Sequence, residues 1–568
     1  MSTHDLVVRG ATVVDGTGAP GFEADVAVDG DRIVIVGDVS GTGAEELDGR
    51  GLVLAPGWID THTHLDASQF WDPFLTPCSR YGVSTVVIAN CGYALAPALT
   101  AAQREYVIEA LVTVEQVPRD AIDEAVPFDW TDQASYVESL AKLETALNRA
   151  FLVGHLPVRA AVMGPEAAHS RVAKADEIAA MHELVRDGLR LGAVGFSTDQ
   201  VVGNIGPGNT ALPGQVCADA ELLAVAHALG AGPGPGLFTM APRALLLDRE
   251  QRLEDLVWHE QLAATSGKAV VIGPVFDTFD DPGVGRDLLD EMAAAQARGN
   301  HVVGQVSPRP FELWTRLDAP GVLVRVLPTL HAAVKDGGAE GVRRLANDEI
   351  GMAKLRAEGA NIRPSLIFSG RWDHVHVRYT TRSGDLRDRD LATISSARGE
   401  DPTDLLVDIA LNDDFETQFA IAMRSPDDVR LGDLVSHPAA QLGGSDAGAH
   451  TQSNTDSCYA VWTLQHWVRE REVLTLETAI AMLTGRQADL FGIRDRGRIT
   501  PGAYADLVLF DPDHIGIDDV RYVQDMPAGG TRLVAEPVGI AASIVNGKTV
   551  ARAGELTGAL PGTLLRAD

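Results

Sequence analysis

Eight short apolar runs, each followed by enough chain for a helix, recur across the middle of this sequence, at 53–60, 84–91, 150–155, 193–198, 236–240, 269–275, 302–307 and 441–446. Runs such as STVVIANC (84–91) and KAVVIGPV (268–275) are apolar almost throughout. A strand with one wet face alternates, whereas a strand covered on both faces does not. Eight such strand and helix units predict an α/β fold, a closed (β/α)8 barrel of the TIM type.

The two ends have a different texture. DLVVRGATVVDGTG (5–18) and ADVAVDGDRIVIVGD (24–38) alternate β-type runs with Gly and Asp where hairpins need positive φ, and GAYADLVLFDP (502–512) and GIAASIVNGKTVARAGELTG (539–558) repeat that pattern. Residues 1–54 and 497–568 are therefore expected to form one small composite β-sandwich around a barrel spanning 55–496. The stretch 308–440 is far longer than a crossover helix, and charged pieces such as GDLRDRD (384–390) read as helical, so it is expected to be an inserted, cap-like region.

Composition narrows the function classes. At 568 residues the chain exceeds one ordinary core, and 45% hydrophobic with 22% charged residues is a globular composition. A formal net charge of −32 repels phosphate backbones and anionic membranes, which argues against nucleic-acid and membrane partners. Four cysteines, at 78, 91, 217 and 458, show no paired CxxC spacing and make no disulfide framework. With neither a signal-peptide pattern at the start nor an apolar run of membrane-spanning length, a cytoplasmic location is expected.

Three segments carry chemistry. In APGWIDTHTHLD (55–66), His62 and His64 are two residues apart at a strand end, so the period-2 geometry aims both the same way. Paired imidazoles at a barrel mouth suit zinc or a similar divalent ion. IANCGYALAP (88–97) places Cys91 at the end of the second run, and LGGSDAGAH (442–450) places Asp446 at the end of the eighth.

These segments resemble the amidohydrolase superfamily, and in particular the N-acyl-D-amino-acid deacylases (D-aminoacylases). So do GHLPVRAAVMG (154–164), AVGFST (193–198) and the long stretch 474–512. The resemblance covers most of the chain except 308–440. It implies His62, His64, Cys91 and Asp446 as metal ligands and a metal-activated water that cleaves an amide, N-acyl or cyclic amide C–N bond. Asp446 would be the general base. His450, in the loop over the mouth, is a second catalytic candidate, and His155, Gln305 and Arg309 are candidate substrate contacts.

Two departures stand out. The family's histidines after the fifth and sixth strands are missing, because those runs read GLFTMAPR (236–243) and VVIGPVFD (270–277), with Met240 and Gly273 or Pro274 at the strand ends. One divalent ion, zinc by the softness of the donors, is therefore expected instead of two. The family's carboxylate-binding arginine falls near Thr455 in HTQSNTDSCYAVW (450–462). A small amide-type substrate and a possible homo-oligomer complete the expectation. The alternatives are a deaminase or other hydrolase of the superfamily, or a barrel that binds without turnover. Lys268 precedes its run and so sits at the opposite barrel face.

Overall fold

The computed structural model describes residues 3–567 apart from 98, 280, 320, 363–367 and 425–426. Eight strands lie side by side in sequential order and all run parallel. They are β1 (Trp58–Asp60), β2 (Val83–Ile88), β3 (Asn148–Gly154), β4 (Gly195–Asp199), β5 (Leu237–Ala241), β6 (Val270–Ile272), β7 (Val302–Val306) and β8 (Ala440–Leu442). The ring closes just past the strand ends. Thr63 pairs in parallel with Ala447, and the His64 N–H donates to the Ala447 carbonyl at 2.7 Å. Gly448 makes that approach possible: its φ is 95°, and a Cβ there would lie 2.5 Å from the His64 carbonyl oxygen. The architecture is the TIM-type (β/α)8 barrel read from the runs.

One run resolves differently. Residues 53–60 hold two strands, of which only β1 belongs to the barrel. Val53–Pro56 pairs with Thr3–Val13 and with Leu507–Phe510 in a second, nine-stranded sheet built from both chain ends. Gly57 makes the crossing, because its N–H reaches the Asp506 carbonyl at 2.9 Å and a Cβ would meet Ser84 at 2.5 Å. Alternation in the outer sheet divides its side chains between two cores. Leu54, Leu507 and Leu509 pack with Leu6, Val8 and Val26 inside the outer layer, while Val53, Ala55, Val508 and Phe510 join the barrel's core. Gly10 (φ 61°) marks a bulge within one long strand and not a hairpin turn.

The insertion has its own apolar core, which includes Leu323, Leu330, Leu355, Leu405 and Phe419. A three-stranded antiparallel sheet of Phe311–Thr315, Gln418–Arg424 and Val375–Tyr379 runs through it. GDLRDRD is not an α-helix as expected: Gly384–Leu386 form a single 3-10 turn and Asp388 takes a φ of 63°, which ends any helical run. Lys268 lies at the entry of β6, its ammonium on the Gly234 carbonyl at 2.9 Å. Among the described residues no helix is long and apolar enough to cross a membrane.

Asp506 locks the two layers together. Its carboxylate accepts from the buried Arg496 guanidinium, from Asn148 Nδ2 of β3 at 3.1 Å and from the Asn546 backbone N–H at 2.8 Å. Removing one partner of a buried ion pair leaves an uncompensated charge and costs about 3–5 kcal/mol. Asp506→Ala is expected to lower the unfolding free energy by about that amount in urea titrations.

Candidate metal centre

The mouth of the barrel opens into a cavity of about 550 Å³ lined by His62, His64, Cys91, Glu115, Asp446 and His450. Local backbone chemistry sets each donor. After β1, Asp60 accepts the His62 backbone N–H at 3.3 Å, and the barrel closure at Thr63 and His64 fixes the second histidine. After β2 the chain turns through three positive φ values, at Ala89 (70°), Cys91 (52°) and Gly92 (83°). Asn90 braces that turn, its amide donating to the Val87 carbonyl at 3.0 Å, while Asp66 accepts the Ala89 N–H at 2.9 Å and Ser197 accepts the Gly92 N–H at 2.9 Å. After β8, Ser445 donates to the His62 carbonyl at 2.9 Å, and Asp446 and His450 both adopt left-handed φ (47° and 49°). Such unfavourable backbone conformations persist where the surroundings over-determine them, and they cluster at functional sites.

The donor atoms converge. One ligand atom each from His62, His64 and Cys91 lies within 4.8 Å of the others. His62 Nε2 is 3.4 Å from the Cys91 sulfur and 3.3 Å from Asp446 Oδ1, and His64 Nε2 is 3.8 Å from the same carboxylate oxygen. Gln305 Oε1 sits 2.6 Å from His62 Nδ1, so Nδ1 carries the proton and Nε2 presents its lone pair to the cluster. Burial pushes the His64 imidazole down to about 3, which keeps it neutral and able to ligate. Burial also pushes the Cys91 thiol well above its ordinary value, so a thiolate there needs a cation beside it. The residues fit a divalent ion.

The other sequence candidates part company here. His155 sits in a buried network, with Nδ1 2.8 Å from Thr198 Oγ1 and Nε2 2.7 Å from Glu221, which also pairs with Arg159. With both ring nitrogens engaged it has none for a substrate, which corrects the expectation. Gln305 lines the cavity, and its amide oxygen lies 2.6 Å from His62 Nδ1. Arg309 lines the cavity and its Nη1 donates to Thr455 O at 2.9 Å and Oγ1 at 3.1 Å, with Asp456 at 3.3 Å. Met240 is buried in the core at the end of β5, and Gly273 and Pro274 line the cavity after β6, so no imidazole stands at those positions.

Sequence reasoning missed two carboxylates. Asp199, the last residue of β4, accepts from Tyr93 Oη at 3.1 Å and from the Asn204 amide at 2.8 Å. Glu115 lies in the loop before Val117, 3.7 Å from His64 Nε2 and 3.8 Å from His450 Nε2, and its backbone carbonyl accepts the His450 N–H at 2.7 Å. Burial pushes the Glu115 carboxyl well above the usual range, with Asp446 and Asp199 adding to it. The available signal was one acid inside the otherwise uncharged VTVEQV.

Much of the remaining wall is apolar, with Leu245, Val275 and Phe276 from the barrel loops and Phe311, Leu313 and Met423 from the insertion.

The fold agrees with known proteins. The chain matches the amidohydrolase family over residues 45–551 and belongs to it. It is therefore a metal-dependent hydrolase acting on carbon–nitrogen bonds other than peptide bonds, of the D-aminoacylase-like kind. A D-aminoacylase of Alcaligenes xylosoxydans xylosoxydans is 28% identical over 89% of this chain and 88% of its own. A D-aminoacylase structure described by its binuclear metal centre superposes with a TM-score of 0.66 at 26% identity, covering 99% of this chain and all of that one. The N-acyl-D-glutamate deacylase of Bordetella bronchiseptica, complexed with zinc and a phosphonate inhibitor, gives 0.67 at 25% identity and covers both chains fully.

Because Gln305 sets the His62 tautomer, Gln305→Leu is expected to weaken zinc binding about 10–100-fold, as loss of an outer-shell partner does. A competitive chelator titration measures it.

Proposed function

We propose that the chain hydrolyses a small N-acyl or related amide at this mouth, with His62, His64, Cys91 and Asp446 holding one divalent ion of the zinc type. The observation that carries the reading is the convergence of the His62, His64 and Cys91 donors within 4.8 Å, with the Asp446 carboxylate 3.3 Å from His62. When bound, such an ion polarises a carbonyl and lowers the pKa of a water toward about 7.

The chain's own groups do the rest. Asp446 Oδ accepts the proton of the attacking water as the new C–O bond forms. The C–N bond then breaks, and that proton passes to the leaving nitrogen from Asp446 or through His450, whose Nε2 faces the same cavity. Gln305 holds the His62 ring, and the apolar wall excludes competing water, which strengthens the electrostatics inside.

The names of the relatives point to N-acyl-D-amino acids as the class to screen first. Arg309 is the proposed polar contact for the substrate: it lines the cavity and reaches from the loop after β7 onto Thr455, with Asp456 at 3.3 Å. The cytoplasm is the proposed location, and a homo-oligomer is compatible with the reading.

Chelation followed by gel filtration is expected to abolish amide hydrolysis, and one equivalent of zinc per chain to restore it. His62→Ala is expected to lower kcat/KM at least about 100-fold, in line with removal of a group essential to catalysis. Activity that survives both treatments would sink the metal-dependent reading of this mouth.

A further inference from the structure

The donors at the mouth form a belt and not a single knot. At one end, Cys91 and His62 lie 3.4 Å apart; in the middle, Asp446 Oδ1 is 3.3 Å from His62 Nε2 and 3.8 Å from His64 Nε2. At the other end, Glu115 Oε2 is 3.7 Å from His64 Nε2 and 3.8 Å from His450 Nε2. These last separations are too long for hydrogen bonds. They are short enough for a shared cation, since two N or O donors each about 2.0–2.2 Å from one ion lie no more than about 4.4 Å apart.

Glu115 is also in the wrong place for an ordinary carboxylate. It is 4% exposed, faces the cavity, and among the described residues no lysine or arginine pairs with it; its charged-group contacts are the two imidazoles. The backbone holds it there, because the His450 N–H binds the Glu115 carbonyl at 2.7 Å and so ties the segment after the helix Ala101–Thr113 to the loop after β8.

We propose that Glu115 is a direct metal ligand of this centre, a carboxylate donor on the His64 side that takes over where the loops after β5 and β6 supply no imidazole. The proposal rests on the reading of the centre given above and adds a fifth protein donor to it.

The test is zinc affinity and cobalt spectroscopy on the full chain, wild type against Glu115→Gln. The amide keeps the shape and any hydrogen bond but is a far poorer ligand than the carboxylate. Zinc affinity in the variant is expected to fall at least 10-fold, or one of two bound ions to be lost, and the visible absorption of the cobalt-loaded protein to change in position and intensity. Wild-type affinity, stoichiometry and cobalt spectrum in a folded Glu115→Gln protein would overturn the proposal. Should that variant not fold, Glu115→Asp keeps the charge and retracts it by one methylene; weaker zinc binding is again expected, and unchanged binding overturns the idea. Wild-type protein that binds no zinc would sink the whole metal reading, whereas binding lost in His62→Ala but intact in Glu115→Gln would sink the role of Glu115 alone.

Discussion

The hydrogen bond from His64 N–H to the Ala447 carbonyl closes the ring of eight strands, and the chemistry of the mouth depends on it. It joins the segment after β1 to the segment after β8, which lie nearly four hundred residues apart in sequence, and so brings both histidines against Asp446. Only glycine at 448 tolerates the approach, because any Cβ would collide with the His64 backbone. The Ser445 hydroxyl on the His62 carbonyl adds a second clasp beside the first.

Around that closure burial holds the His64 imidazole neutral and pushes the Cys91 thiol and the Glu115 carboxyl above their ordinary values. Low dielectric raises the cost of each unpaired charge and the gain from a central cation together. The acidic surface contributes little here, since exposed charges are screened within about 10 Å at ordinary ionic strength. The insertion deepens the effect, because Phe311, Leu313 and Met423 reach over the mouth from a unit with its own apolar core.

That His62, His64, Cys91 and Asp446 would converge was legible because each sits in a short segment at a strand end. Two-residue spacing sets the histidine pair, an Asn-Cys-Gly turn requires positive φ, and a Gly-rich loop permits close backbone contact. His155 misled for a physical reason: a histidine at the end of a barrel strand looks the same whether it faces the cavity or the helix behind it, and Glu221 on a distant helix decides which. Gln305 was read as a substrate contact, but a glutamine's partner is not written in its neighbours, and His62 takes its oxygen. Glu115 left almost no trace, since the backbone bond that ties its loop to the mouth is to His450, remote in sequence.

Taken by itself the sequence determined the barrel, the joining of the two termini in one β layer and the donors that lie next to strands, because period, burial and turn chemistry are local properties of the chain. It could not show that 53–60 serves two sheets, since both strands are equally apolar and only Gly57 marks the crossing. Which polar groups face the cavity, which are consumed in buried networks and which carboxylate stands opposite His64 were decided by tertiary structure alone. Those outcomes depend on distances between loops remote in sequence, and a chain encodes such distances only through the packing of the whole barrel.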